Sequence, residues 1–124
     1  MIRGFRGATT ISQNTKEDIT DETRKLLSEM VEKNGIEPSH ISHVFFSASA
    51  DINATFPASA GRELPGWTHV PVMCMQEIDV PNSLEKCIRV MLVAKTNLKQ
   101  EEIEHIFLNN AVKLRPDLVK KEGE

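Results

Sequence analysis

Cys87-Ile88-Arg89-Val90-Met91-Leu92-Val93-Ala94-Lys95 is the stretch on which the fold turns. It reads as a β-strand that is apolar on both faces except at Arg89, the pattern of a strand with cover on either side. Working back from it, Asp79 to Ser83 is a turn and His69 to Met75 is a third strand. A short helix opens at Phe56-Pro57 with Pro57 at its first position, runs to Leu64 and is stopped by Pro65-Gly66. The loop Ala48 to Ala54 is small and polar, and a second strand is expected at His43 to Ser47, where Val44, Phe45 and Phe46 give a buried, unalternating look. The clearest helix begins at Thr15, an N-cap with Asp18 three residues on. Glu17 and Asp18 suit the positive helix start, Ile19, Leu26, Leu27, Met30 and Val31 form one apolar stripe, and Gly35 closes it. Ile2 to Ile11 is the first strand, with Ile2, Gly4, Arg6 and Ala8 on one face and Arg3, Phe5, Gly7 and Thr9 on the other.

Beyond Lys95 the chain has a helical turn near Gln100 to Ile103, a short apolar segment from Ile106 to Leu108, and a charged end, residues 116–124, expected to be a flexible tail. No repeat, low-complexity run or linker divides it, so residues 1–124 are expected to form one domain. Strands alternate with helices, which predicts an α/β fold: a mixed β-sheet with flanking helices.

The composition, 40% hydrophobic and 27% charged, is that of an ordinary globular protein. The longest apolar run, Val90 to Ala94, falls far short of the ~20 residues that cross a bilayer, so no membrane partner is expected. The start, Met-Ile-Arg-Gly-Phe-Arg, has no apolar export signal. Cys74 and Cys87 are too few and wrongly spaced for a disulfide scaffold and read as reduced thiols in a cytoplasm. A net charge of −3 leaves no electrostatic footprint for nucleic acid. An anionic ligand would have to be held by a few well-placed arginines.

Arg89 is the residue that asks for an explanation. A guanidinium among Cys87, Ile88, Val90 and Met91 is either at a subunit interface or largely buried, where it needs a protein carboxylate or an anionic ligand as partner. Arg6, between glycines that allow close approach, would make with Arg89 a small anion site whose planar forks match carboxylates. Glu77 lies at a strand end and is either a site acid or a solvated loop carboxylate. Cys74 would be a nucleophile only with a base beside it and is more simply a buried thiol. His40, His43, His69 and His105 stand in no thiol-enzyme or zinc pattern, and no Gly-rich phosphate loop is present.

Five ordered blocks carry a resemblance. They are Arg3-Gly4-Phe5-Arg6-Gly7-Ala8-Thr9-Thr10; Phe56-Pro57-Ala58 with Arg62-Glu63-Leu64; Val70-Pro71-Val72-Met73-Cys74-Met75-Gln76-Glu77; Lys86-Cys87-Ile88-Arg89-Val90-Met91; and Leu114-Arg115-Pro116-Asp117-Leu118. Together they closely resemble the monofunctional chorismate mutases of the AroH class, over nearly the whole chain. The resemblance implies an isomerase converting chorismate to prephenate on the route to phenylalanine and tyrosine. It also implies a pseudo-α/β-barrel homotrimer with sites between subunits, and chemistry that needs no cofactor or metal.

It further implies roles. Arg89 would donate to the ether oxygen as the C–O bond breaks, and Glu77 would accept from the ring hydroxyl. Arg6 would bind a carboxylate, and Met73, Cys74, Met75 and Gln76 would lie along the substrate, Cys74 as a weak polar contact. Phe56, Ala58, Ser59, Arg62, Leu114 and Arg115 would line the rim. Phe107 stands where the family pattern has a tyrosine, and Ser59 where it often has a lysine; both changes imply weaker ground-state binding with the chemistry kept. The alternative is a non-catalytic trimer that senses a small dianion with the same arginines.

Overall fold

A computed structural model describes residues 1–118. Five strands, β1 (Ile2–Thr10), β2 (Ile41–Ala48), β3 (Val72–Gln76), β4 (Cys87–Lys95) and β5 (Ile106–Phe107), form one mixed sheet in the order β3-β2-β4-β1-β5. Strand β4 is central and antiparallel to both β1 and β2, while β3 runs parallel to β2 and β5 parallel to β1. Helices α1 (Lys16–Asn34) and α2 (Ser59–Arg62) accompany the sheet.

Helix α1 begins and ends as its sequence dictates. The Thr15 hydroxyl accepts from the Asp18 amide at 3.2 Å, and Gly35 adopts the left-handed conformation (φ 61°) that a residue with a Cβ enters only at a cost. The Asp18 carboxylate accepts from the Ser12 hydroxyl and the Gln13 amide instead of reaching back to the cap, so it ties the β1–α1 loop to the helix. Leu26, Leu27 and Met30 pack against Phe5, Phe46 and Leu92 in the main core, and Ile19 joins Ile11, Ile52 and Ile88 in a second cluster. Each such fully buried side chain contributes roughly 1.5–3 kcal/mol. Gly7 is where helix and sheet come nearest: a Cβ there would lie 2.3 Å from the Met30 sulfur. The close approach expected beside Arg6 is thus made by α1.

Several boundaries differ from those the sequence suggests, each for a local reason. Strand β2 is longer than His43 to Ser47 and, past a register shift between Ile41 and His43, alternates, with Val44 and Phe46 buried while Phe45 is 39% exposed. An apolar residue on the outer face hid that alternation. Strand β3 starts at Val72, three residues after His69, because a turn from Trp67 to Val70 and then Pro71, which has no N–H to pair, occupy the approach. Helix α2 is confined to Ser59–Arg62, with Pro57 in the preceding turn; hydrogen bonds from Ser59 to Phe56 and from Leu64 to Gly61 tighten both ends. The apolar segment after Glu104 is a two-residue strand, β5. Within the expected tail, Pro116–Leu118 form a 3₁₀ turn, and residues 119–124 lie outside the described residues.

Strand period and register then sort the sheet into two faces. The inner face, under α1, carries Phe5, Val44, Phe46, Ile88, Val90 and Leu92. The outer face carries Arg6, Phe45, Ser47, Met73, Met75, Arg89 and Met91.

Candidate active site

The outer face is organised in cross-strand rows. In one, Met75 on β3 pairs with Ser47 on β2, Ser47 with Arg89 on β4, Arg89 with Ala8 on β1 and Ala8 with Phe107 on β5. The next row brings Met73, Phe45, Met91 and Arg6 together. Side chains directly opposite on one face are neighbours, so five strands deliver their polar and aromatic groups to one place. There they line a cavity of about 350 Å³ that includes Arg6, Met75, Arg89, Phe107, Leu114 and Arg115.

Glu77 stands at the edge of this ground, just past β3. Its amide donates to the Ala48 carbonyl at 2.9 Å, extending the β2–β3 ladder by one bond and turning the side chain to the outer face. Glu77 Oε2 accepts from the Ser47 hydroxyl at 2.7 Å and lies 3.5 Å from Arg89 Nε, while Oε1 accepts from the Ile78 amide at 3.3 Å. The carboxylate is therefore oriented from three sides and is not a free loop acid. Arg89 is 49% exposed and Glu77 34%. That corrects one branch of the sequence reading: within this chain Arg89 is not largely buried, because Ile88 and Val90 take the inner face and leave it the outer one. An ion pair this open contributes only ~0.2–1 kcal/mol, so the guanidinium remains free to bind something else.

The cavity is cationic. Arg6, Arg89 and Arg115 all line it. Arg115 also forms a two-pronged pair with Asp117, at 3.1 and 3.0 Å, which holds that exposed carboxyl below its ordinary value. His105 sits beside Arg6 and accepts the Arg6 amide proton at Nδ1, at 2.9 Å.

Cys74 points the other way. Flanked by Met73 and Met75 on the outer face, it packs on the inner side against the main core. Burial pushes its thiol up, and the Cys87 thiol likewise, so neither is an activated nucleophile. Cys74 joins Phe56, Ala58, Ser59 and Arg62 around a separate cavity of about 310 Å³ at α2. Gln76 faces the adjoining loop with Phe56 and Pro57, and Met73 projects from the outer face at 60% exposure. The structure thus gathers the expected residues into two groups: Arg6, Met75, Glu77, Arg89, Phe107, Leu114 and Arg115 on one side, and Phe56, Ala58, Ser59, Arg62 and Cys74 on the other. Ser47 is a site neighbour that the sequence pattern marks only as a strand end. Only the register that seats it between Met75 and Arg89, next to Glu77, reveals it.

Residues 2–118 match the family model of chorismate mutase type I. The chain belongs to the type I chorismate mutase family. It is 49% identical over 118 residues to the chorismate mutase AroH of Bacillus subtilis (strain 168), covering 95% of this chain and 93% of that protein. It is 41% identical over 119 residues to the chorismate mutase AroH of Thermus thermophilus, covering 95% and 97%. A solved chorismate mutase from Clostridium thermocellum superposes with a TM-score of 0.85 at 51% identity, over 88% of this chain and 96% of that one. The type I match includes all five strands, both helices and both groups of site residues. No helix among the described residues is long and apolar enough to cross a membrane, and no cluster of three or more His, Cys, Asp or Glu side chains there is arranged to hold a metal.

Proposed function

We propose that this type I chorismate mutase isomerises chorismate to prephenate, in the cytoplasm, as a step of phenylalanine and tyrosine biosynthesis. In this reading the enzyme is a homotrimer with a pseudo-α/β-barrel arrangement, and adjacent subunits complete each site. The observation that carries it is the outer-face row: Arg89 stands beside a Glu77 carboxylate held by Ser47, next to a cavity lined by two further arginines.

The reaction breaks an ether C–O bond and forms a C–C bond within one molecule, with no proton transferred and no covalent intermediate. The enzyme has to hold a flexible dianion in its compact reactive conformer and stabilise the charge that separates as the ether bond lengthens. Arg89 is suited to the second task. Its guanidinium is fixed at the sheet centre and donates to the ether oxygen where negative charge grows. Glu77 accepts from the ring hydroxyl and faces the electron-poor ring fragment, its orientation set beforehand by Ser47 and the Ile78 amide. Arg6 holds a carboxylate, Phe107 packs on the substrate, and Leu114 and Arg115 close one rim.

The α2 group supplies the other rim. In a single chain it surrounds a cavity of its own, apart from Arg89. A neighbouring copy offers the simplest way to bring Phe56, Ala58, Ser59, Arg62 and Cys74 to the substrate held beside another copy's Arg89. Exposed Phe45, Met73 and Met91 on the outer face support such contact between copies.

The test is to add chorismate to the purified protein without metal or cofactor, follow its absorbance loss and identify prephenate. Saturable turnover that falls ~10²-fold or more in Arg89→Ala, with the fold intact, is expected, as for loss of an oxyanion donor. Binding of chorismate without turnover would instead favour a dianion sensor.

A further inference from the structure

We infer that His105 is a positioning residue for the Arg6 carboxylate site: its neutral ring stands in for a backbone carbonyl in the β1–β5 pairing, and protonating it loosens that site. This rests on the mutase reading above.

Strand β5 pairs with β1 through only Gly7–Ile106 and Ala8–Phe107, with the Leu108 amide donating to the Ala8 carbonyl at 2.9 Å. Alternate residues of β1 direct their main-chain groups to this edge, so Arg6, two before Ala8, also presents its N–H there. The strand pairing has already ended at that point. His105 Nδ1 accepts the hydrogen bond from that amide instead, at 2.9 Å. The ring is itself delivered from α1. The buried Asn34 amide brackets the preceding residue, donating to the Glu104 carbonyl at 2.9 Å and accepting from the Glu104 amide at 2.8 Å. A chain of contacts therefore runs from the helix end through Glu104 and His105 to the main chain of Arg6, whose residue lines the cavity.

An Nδ1 that accepts carries its proton on Nε2, and an imidazolium has no acceptor left. The charged groups around the ring favour the neutral form. Burial is the main influence, and Arg6 from β1 and Arg115 from the segment before Pro116 add to it, lowering the His105 pKa from 6.5. Of the other neighbours, α1 contributes the uncharged Asn34, Asp117 is paired with Arg115, and Glu104 adjoins the ring along the chain. Because the folded pKa is depressed, the acceptor is intact above pH 6.5 and is lost as pH falls through the folded value. A new positive charge acting alone would draw the dianion and lower KM. Loss of the Arg6 amide's partner predicts the opposite, so the direction of the KM change separates the two effects.

The experiment measures chorismate kinetics and the Arg6 backbone amide resonance from about pH 8 to about pH 5.5, across the imidazole range. It uses the wild type, His105→Asn and His105→Leu. Asn puts an oxygen where Nδ1 stood and cannot titrate. Wild-type KM should rise about threefold or more on the acid side with kcat little changed, and the Arg6 resonance should move with a midpoint below the ordinary histidine value. In His105→Asn both should be flat and KM near wild type, whereas His105→Leu should show a raised KM at every pH. A flat or falling wild-type KM, an acid rise retained in His105→Asn, or an Arg6 resonance that ignores pH would overturn the inference. If chorismate is not turned over at all, the mutase reading fails, and the resonance still decides whether His105 governs Arg6. If His105→Leu does not fold, the His105→Asn comparison stands by itself.

Discussion

Ile88 and Arg89 are adjacent in β4 and belong to different problems. Ile88 points inward, fully buried against Ile11, Ile19 and Ile52. Arg89 points outward, half exposed, between Ser47 and Ala8. In the proposed site the same backbone serves stability on one face and chemistry on the other, and the two alternate residue by residue. One consequence is precision. The site groups stand on strands whose opposite faces are locked in a packed core, so their geometry is inherited from the fold.

Substitutions on either side of that divide should behave differently. The largest effect on stability is expected from Ile88→Ala, which removes buried methyl groups and should cost about 2–5 kcal/mol in chemical denaturation. Turnover by the molecules that remain folded should stay near normal. Arg89→Ala should do the reverse, lowering kcat by ~10²-fold or more while the unfolding midpoint barely moves. A large stability loss in Arg89→Ala, or a specific kcat defect in folded Ile88→Ala, would break the division. Ser47→Ala should be milder, reducing kcat/KM about tenfold, because the Glu77 carboxylate loses one of its two charge-assisted hydrogen bonds and keeps the other, from the Ile78 amide, together with the ion pair to Arg89. No change there would mean that Glu77 is oriented without Ser47. The smallest effect belongs to Phe107→Tyr. It adds a hydroxyl at the cavity wall and should lower KM a few-fold with kcat kept; an unchanged KM would contradict the weaker ground-state binding expected of phenylalanine there.

How much of this was legible in the sequence differs between the faces. The inner face was readable, because burial writes a period into the chain. The α1 stripe, its Thr15 and Gly35 ends and the span of β4 all appear in the structure as the pattern suggests. The outer face was legible on β1, where Gly4, Arg6 and Ala8 share a side as their spacing suggests, but not on β2, β3 and β4, where Phe45, Met73, Met75 and Met91 put apolar residues on both faces and erase the alternation that marks a half-covered strand. Arg89 was legible as an anomaly, but its partner was not. Glu77 is 12 positions away in the chain, and only the pairing of β2 with both β3 and β4 brings Ser47 between them. The division of the site residues into two groups was equally hidden. It depends on Cys74 facing inward between two outward methionines and on α2 lying on the inner side. Family resemblance supplied the residues, and register separated them.

The proposed function joins the two groups across neighbouring copies, each chain giving half of a site to either neighbour. The most direct measurement mixes two defective variants, Arg89→Ala on one half and the double variant Phe56→Ala/Arg62→Ala on the other, by co-expression with mass measurement of the mixed oligomers. Each variant alone should be nearly inactive. In random mixtures, a site built from two chains regains both intact halves in roughly a quarter of cases, so roughly a quarter of wild-type activity should return. Mixed oligomers with no more activity than their parents would contradict it, placing the whole site within one chain.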